Sequence, residues 1–156
     1  MTRGISRAAA LVLTCSAATG FAAAQGQAGD ILPYDKPDAV EAGRAVYQGH
    51  CASCHGSDLQ GEPDWQIRDS EGYLPAPPLD GTGHTWHHPD TQLLEVVRAG
   101  VAAVAGNGYQ SRMAGFSGVL SEQEMREALA YIKSRWPAQI IARHNRINGQ
   151  GGHAHD

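Results

Sequence analysis

The sequence predicts an all-α domain, a few helices joined by long loops, and three observations carry that reading. Apolar residues recur at helical spacing in three segments, two of which open on an acidic or hydroxyl residue followed three positions later by glutamate. No run of alternating β-branched residues offers a strand ladder. The stretch after the first segment, "LQGEPDWQIRDSEGYLPAPPLDGTGHTWHHPD", is rich in Gly, Pro and Asp and poorly suited to regular structure.

In chain order, the first element is one to set aside. Residues 1–24 combine a basic start (Arg3, Arg7), a mostly apolar run from Ala8 to Ala18 and an Ala22-Ala23-Ala24 cleavage site. This is the pattern of a secretory signal peptide, with an apolar run too short to span a bilayer comfortably. Cys15 lies inside that run, but the bulk of Thr14 before it and the short run argue against a lipid anchor. Residues 25–35 then form an N-terminal extension. Asp38 and Glu41 mark a helix start, with Val40, Ala42, Ala45, Val46 and Tyr47 following, and this helix runs into "GHCASCHGS" at residues 49–57. After the long loop, Pro89 and Asp90 open a second helix carrying Leu93, Leu94, Val97 and Val101. An irregular Gly-rich loop containing Met113 precedes the third helix. Ser121 and Glu124 form its capping box, and Met125, Ala128, Leu129, Ile132 and Trp136 trace one apolar stripe until Pro137 interrupts. Residues 138–156 are a C-terminal extension. Ile140 and Ile141 in it call for cover, whereas "NGQGGHAHD" has no apolar anchor and is expected to be disordered.

With the leader removed, two cysteines remain, Cys51 and Cys54. A disulfide between them would close a tiny loop and remove little chain entropy. A thioredoxin-like pair should follow a strand, and what precedes Cys51 is helical. A zinc site would need a second ligand pair, and no further cysteine supplies one. The remaining reading is C-x-x-C-H, the attachment motif of a c-type haem. Each thiol adds to one vinyl group, and His55 is placed under the iron as its proximal ligand.

Composition fits a small domain with a modest apolar core, to which a haem would add a large flat apolar surface. Without Arg3 and Arg7, ten basic side chains face sixteen acidic ones, a net charge of minus six. That balance argues against nucleic acid and against an anionic membrane surface as partners, and suits docking on a basic patch of another protein.

Over roughly residues 36–137 the chain resembles a class I monohaem cytochrome c. The order of helix, CASCH, Pro-Leu loop, middle helix, methionine loop and final helix matches, as do particular residues. The segment 43–56, which ends in "YQGHCASCHG", is similar to the family's first helix and motif, with Gly43 and an aromatic, Tyr47, four residues on. "ALAYIKSRWP" is similar to the family's last helix, with Leu129 and Tyr131 facing that glycine. The resemblance implies the class I cytochrome c fold wrapped around one covalently attached haem c. It implies Met113 as the second iron ligand, whereas Met125 sits on a helix stripe, where methionine is ordinary core packing. The family usually has proline after that methionine; Ala114 stands here and leaves the loop less constrained by its own backbone. In "PAPPL", the carbonyl of Pro77 or its neighbour Pro78 is expected to accept the other ring N–H of His55, with Leu79 packing on the haem. Trp86 either donates its indole N–H to a haem propionate or packs there.

His84, His87 and His88 cluster, His50 precedes the motif, and His144, His153 and His155 lie near the end. A second metal such as copper is one reading. The other is that His88 caps the following helix, His84 and His87 line the haem crevice or face water, and the tail is solvated. No fixed ligand spacing such as i, i+4 favours the metal.

The function implied is an exported, periplasmic carrier of single electrons, not an enzyme, between redox partner proteins: a donor dehydrogenase and an acceptor oxidase or reductase. Two other classes stay open. One is a haem enzyme or ligand sensor with a displaceable Met113; the other is an electron-transfer or copper-accessory subunit of a larger complex.

Overall fold

The structure, a computed structural model, describes Met1 and residues 32–151. The expected leader, most of the N-terminal extension and the last five residues, with His153 and His155, lie outside the described residues. All named elements among the described residues are helical: α1 (Pro37–His50), α2 (Ala52–His55), a 3-10 turn at Thr85–His87, α3 (Asp90–Ala99), α4 (Val101–Ala105), α5 (Glu122–Ser134) and α6 (Ala138–Gly151).

The frame is the crossing of α1 and α5. A Cβ built on Gly43 would lie 1.9 Å from the Glu127 carbonyl oxygen and 2.4 Å from its carbon, so only a residue without a side chain lets the two backbones meet. The sequence placed Leu129 and Tyr131 opposite this glycine. The atoms nearest it belong instead to the main chain of Glu127 and Ala128, while Tyr131 pairs with Tyr47, ring centroids 5.4 Å apart. Tyr47, Met125, Leu129, Ile132 and Trp136 join Leu59, Leu79, Trp86, Leu93, Leu94 and Leu120 in one buried cluster. Each such side chain contributes on the order of 1.5–3 kcal/mol by leaving water.

Helix starts follow local chemistry, with one revision. On α5 the capping box is complete: Ser121 accepts from the Glu124 N–H and Glu124 reaches back to the Ser121 N–H. On α1 it is not formed. That helix begins earlier, with Pro37 at its first turn and Lys36 as cap, and Glu41 pairs with Arg44 at 2.7 Å instead. The long stretch from 56 to 84 stays irregular but is tied down by main-chain bonds such as Leu79 N–H to Leu59 O, 2.8 Å.

The C-terminal extension is the largest departure from expectation. Past Pro137 the chain starts a separate helix, α6, which continues to Gly151, so the polar stretch that begins at Asn148 is helical at least that far. This helix folds back over the 3-10 turn and closes a buried polar cluster. Asp90 and Lys133, both essentially inaccessible to solvent, lie 3.7 Å apart, and His144 Nε2 lies 3.6 Å from the same carboxylate. The other Asp90 oxygen accepts from the Leu32 N–H at 3.3 Å, and the Asp90 N–H donates to Asn148 at 2.8 Å. The Lys133 ammonium sits 4.3 Å above the Tyr34 ring, whose hydroxyl accepts from Asn145 at 2.8 Å. Leu32 is buried as well, so the packed unit takes in residues that the sequence assigned to the N-terminal extension. His144 is fully buried rather than part of a solvated tail, and it bonds the His88 carbonyl at 2.8 Å. His88 therefore serves through its main chain, while the first N–H of α3, on Asp90, is held by the Asn148 side chain.

Candidate functional site

The end of α1 and the single turn of α2 set the spacing of the two thiols and the imidazole. Cys51 N–H bonds Tyr47 O at 2.8 Å and His55 N–H bonds Cys51 O at 3.0 Å, which places both cysteines and the histidine on consecutive turns of nearly continuous helix. Both cysteines are free, Cys51 half-buried and Cys54 exposed. Burial, with a smaller contribution from Cys54, pushes the Cys51 thiol up to about 11, so it is protonated at neutral pH. The two thiols lie one helical turn apart, the spacing of the C-x-x-C-H attachment motif.

His55 is oriented from outside its own helix. Its Nδ1 lies 2.8 Å from the Pro77 carbonyl oxygen, and a carbonyl can only accept, so Nδ1 carries the proton and Nε2 keeps its lone pair. Burial pushes the imidazole below its ordinary value, against a smaller opposite effect of the Pro77 bond. The neutral form, the one in which an imidazole can bind a metal, is thereby favoured.

Two further bonds hold this half of the site. The Tyr47 hydroxyl donates to Gly56 O at 2.6 Å, fixing the end of the attachment motif. The Trp136 indole N–H donates to Leu79 O at 2.8 Å, anchoring the Pro77–Leu79 loop to the end of α5. Gly61 sits between the two: its N–H bonds His55 O at 2.8 Å, its φ is 70°, and a Cβ there would lie 2.5 Å from the Pro78 nitrogen. Trp136 and Tyr47 were legible in the sequence as core and helix-contact residues, but not as hydrogen-bond donors to the loops around His55.

The remaining expected residues fall as follows. Leu79 is buried beside Leu59 and Trp136 in the core. Trp86 is buried on the 3-10 turn, stacked on His87 at 3.7 Å with the Arg143 guanidinium 4.8 Å from its ring, so it has packing partners from α6 that the sequence did not suggest. Met113 is half-buried, its N–H donating to Ser111 Oγ at 3.1 Å, and the next residue, Ala114, pairs with Gly100 in an isolated bridge. Met125 is packed in the core on α5. His84 stacks on Trp65 at 6.2 Å and meets His88 edge-on, while His50 faces Phe116. No group of three or more His, Cys, Asp or Glu side chains converges to hold a metal ion among the described residues.

The donor set thus fits a covalently attached haem: two free thiols, and an imidazole with one nitrogen engaged and the other available. The family described as Cytochrome c matches residues 40–136, and the chain belongs to it. It is a class I monohaem c-type cytochrome, an all-α electron-transfer protein with one covalently bound haem c. Among curated proteins, the cbb3-type cytochrome c oxidase subunit FixP of Sinorhizobium medicae (strain WSM419) is 29% identical over 97 residues, which are 62% of this chain and 30% of that protein. Among solved structures, cytochrome CL from Methylophaga aminisulfidivorans MPT is similar with a TM-score of 0.49 and 20% identity, covering 72% of this chain and 64% of that one. This chain therefore spans less than a third of the curated relative and under two thirds of the structural neighbour. No helix among the described residues is long and apolar enough to cross a membrane.

Proposed function

We propose that this cytochrome is exported to the periplasm through residues 1–24 and carries single electrons between a donor dehydrogenase and an acceptor oxidase or reductase. Its iron is held by His55 Nε2 and the Met113 sulfur. The observation that carries this reading is the bond from His55 Nδ1 to the Pro77 carbonyl, which leaves Nε2 as the free donor nitrogen. The haem supplies the one-electron couple. The chain's own residues do the rest: Cys51 and Cys54 tether, His55 and Met113 ligate and set the potential, and Leu79 and the buried aliphatic residues around it exclude water. A thioether is soft and favours ferrous iron, so this ligand pair raises the potential relative to two nitrogens. A closed iron makes electron transfer, rather than substrate chemistry, the function. Trp86 has two expected roles, as propionate donor or as packing; its stacking on His87 and beneath Arg143 supports the packing role.

A second reading has a specific support: the curated relative is by its name a subunit of an oxidase, so this chain is alternatively a fixed electron-transfer subunit. Purification of the native protein alone or in a complex separates the two. For ligation, the test is the absorption spectrum of periplasmic protein. The weak red charge-transfer band of methionine-ligated ferric haem is expected, with no change in the reduced spectrum under carbon monoxide. Met113→Ala should remove the band, lower the potential and admit carbon monoxide; an unchanged potential overturns the assignment. Cys51→Ala with Cys54→Ala should abolish covalent haem.

A further inference from the structure

Met113 lies between two anchors of different kinds. Downstream, main chain holds main chain: Ala114 bridges Gly100, Phe116 N–H bonds Val97 O at 2.9 Å, and Ser117 N–H bonds Arg98 O at 3.2 Å. Upstream, the grip is made by side chains. Arg112 spreads its guanidinium across the 69–73 turn, with Nη1 2.5 Å from Asp69 Oδ2 and Nη2 2.6 Å from Glu71 Oε2, and its Cζ lies 4.2 Å from the Tyr73 ring centroid. In return, Arg68 of that loop lies 5.5 Å from the ring of Tyr109 in the methionine loop. Each loop thus offers one arginine and one tyrosine to the other.

The receiving turn is built beforehand. Asp69 divides its oxygens: Oδ1 accepts the Glu71 and Tyr73 N–H groups at 2.9 and 3.0 Å, leaving Oδ2 for Arg112. Asp69 N–H closes the turn on Tyr73 O at 2.9 Å, and Arg68 Nη1 donates to Gly72 O at 2.5 Å. A planar fork between two acceptors fixes orientation as well as distance, which a lysine ammonium would not do.

We infer that this reciprocal arginine–tyrosine clasp positions Met113, with Arg112 as the positioning residue that acts in place of the proline absent at position 114. The inference rests on Met113 being the second iron ligand. Because the clasp is made of half-exposed ions and rings, it yields before the downstream main-chain anchor does, and salt weakens it. Release of the loop frees the sixth iron position for a small exogenous base.

The test uses the haem-loaded, full-length protein and imidazole as the probe. Arg112→Gln is expected to bind imidazole to the ferric form about fivefold more tightly than the unaltered protein, as loss of a partly exposed bidentate contact allows. Arg112→Lys should fall between the two. Raising ionic strength should tighten imidazole binding in the unaltered protein and have little effect in Arg112→Gln. Arg126→Gln, which removes an equal charge from an exposed pair on α5, should leave imidazole binding unchanged. If Arg112→Gln does not accumulate, Glu71→Gln with Tyr73→Leu strips the clasp from the facing loop and should give the same increase. An unaltered protein that shows the red band while Arg112→Gln binds imidazole within twofold of it overturns the clasp and leaves Met113 in place. An equal effect of Arg126→Gln overturns it too. Absence of the red band in the unaltered protein overturns both the clasp and the ligation on which it rests.

Discussion

Replacing Gly43 by alanine tests the frame on which the site is hung. The added Cβ would sit 1.9 Å from Glu127 O, whereas real Cβ atoms essentially never come within 3.0 Å of such an atom. The obstacle is main chain inside α5, so no rotamer relieves it, and α1 and α5 must part along their crossing. Overpacking of this kind costs about 1–3 kcal/mol, toward the upper end where backbone must move. Alanine recovers about 1 kcal/mol of helix propensity, so the net loss should be about 2 kcal/mol, roughly 8 °C in Tm for a domain of this length.

Gly49 provides the control within the same helix, because a Cβ there meets nothing within 4 Å. Gly49→Ala should therefore keep the propensity gain and stabilise the protein slightly. Urea unfolding of both haem-loaded variants, followed by far-UV circular dichroism, gives opposite signs if the crossing is as close as described. Equal stabilities for Gly43→Ala and Gly49→Ala would refute the reasoning.

Two further predictions concern charge. Asp90→Ala removes the carboxylate facing the buried Lys133 ammonium and should cost about 3–5 kcal/mol, while adding Lys133→Met should restore a good part of that loss; a double variant as unstable as the sum of the singles, in urea unfolding, would show the two are not coupled. The Ser121 N–H, aided by its hydroxyl, holds the Glu124 carboxyl below its ordinary value of 4.5. Folding thus favours the ionised form, and the stability it contributes is complete above pH 4.5 and lost as pH falls through the lowered folded value. Glu124→Gln should accordingly lag behind the unaltered protein at pH 7 and converge with it toward pH 3; a gap independent of pH would exclude the carboxylate as its source.

Much of the fold was legible because its signals are local. The Ser121 box, the apolar stripe of α5 and the C-x-x-C-H spacing each act within a few residues, and the Pro77 contact came from resemblance rather than from any local rule. What escaped was made at long range by residues of ordinary local meaning. Arg112 and Asp69 lie 43 positions apart, and Tyr34 and Asn145 lie 111 apart, distances over which no periodicity speaks. The start of α1 was misplaced because Asp38 and Glu41 mimic a capping box that Pro37 pre-empts by opening the helix two residues earlier, with Lys36 as cap. The stretch from Asn148 was judged from its missing apolar side chains, yet Asn148 accepts the Asp90 N–H, and His144 and Asn145 just before it add polar contacts that a search for hydrophobic anchors passes over.

The two sides of the proposed iron site are held by different physics, and this orders their stability. On the histidine side the bonds are buried or partly buried and run to main-chain carbonyls: His55 to Pro77, Trp136 to Leu79, Tyr47 to Gly56. Losing the His55 or the Trp136 bond leaves a carbonyl short of a partner in a water-poor setting, which costs about 1–3 kcal/mol, whereas the Gly56 carbonyl keeps the Leu59 N–H at 3.2 Å. On the methionine side the upstream hold consists of ion pairs and ring contacts that water and salt can replace. Destabilising conditions should therefore release Met113 while His55 stays ligated and the haem stays tethered. The protein would then lose its red band in a step separate from, and milder than, the loss of helix content. A single transition in which the band and the helical signal vanish together would mean that the methionine loop is as firmly built as the core beneath it.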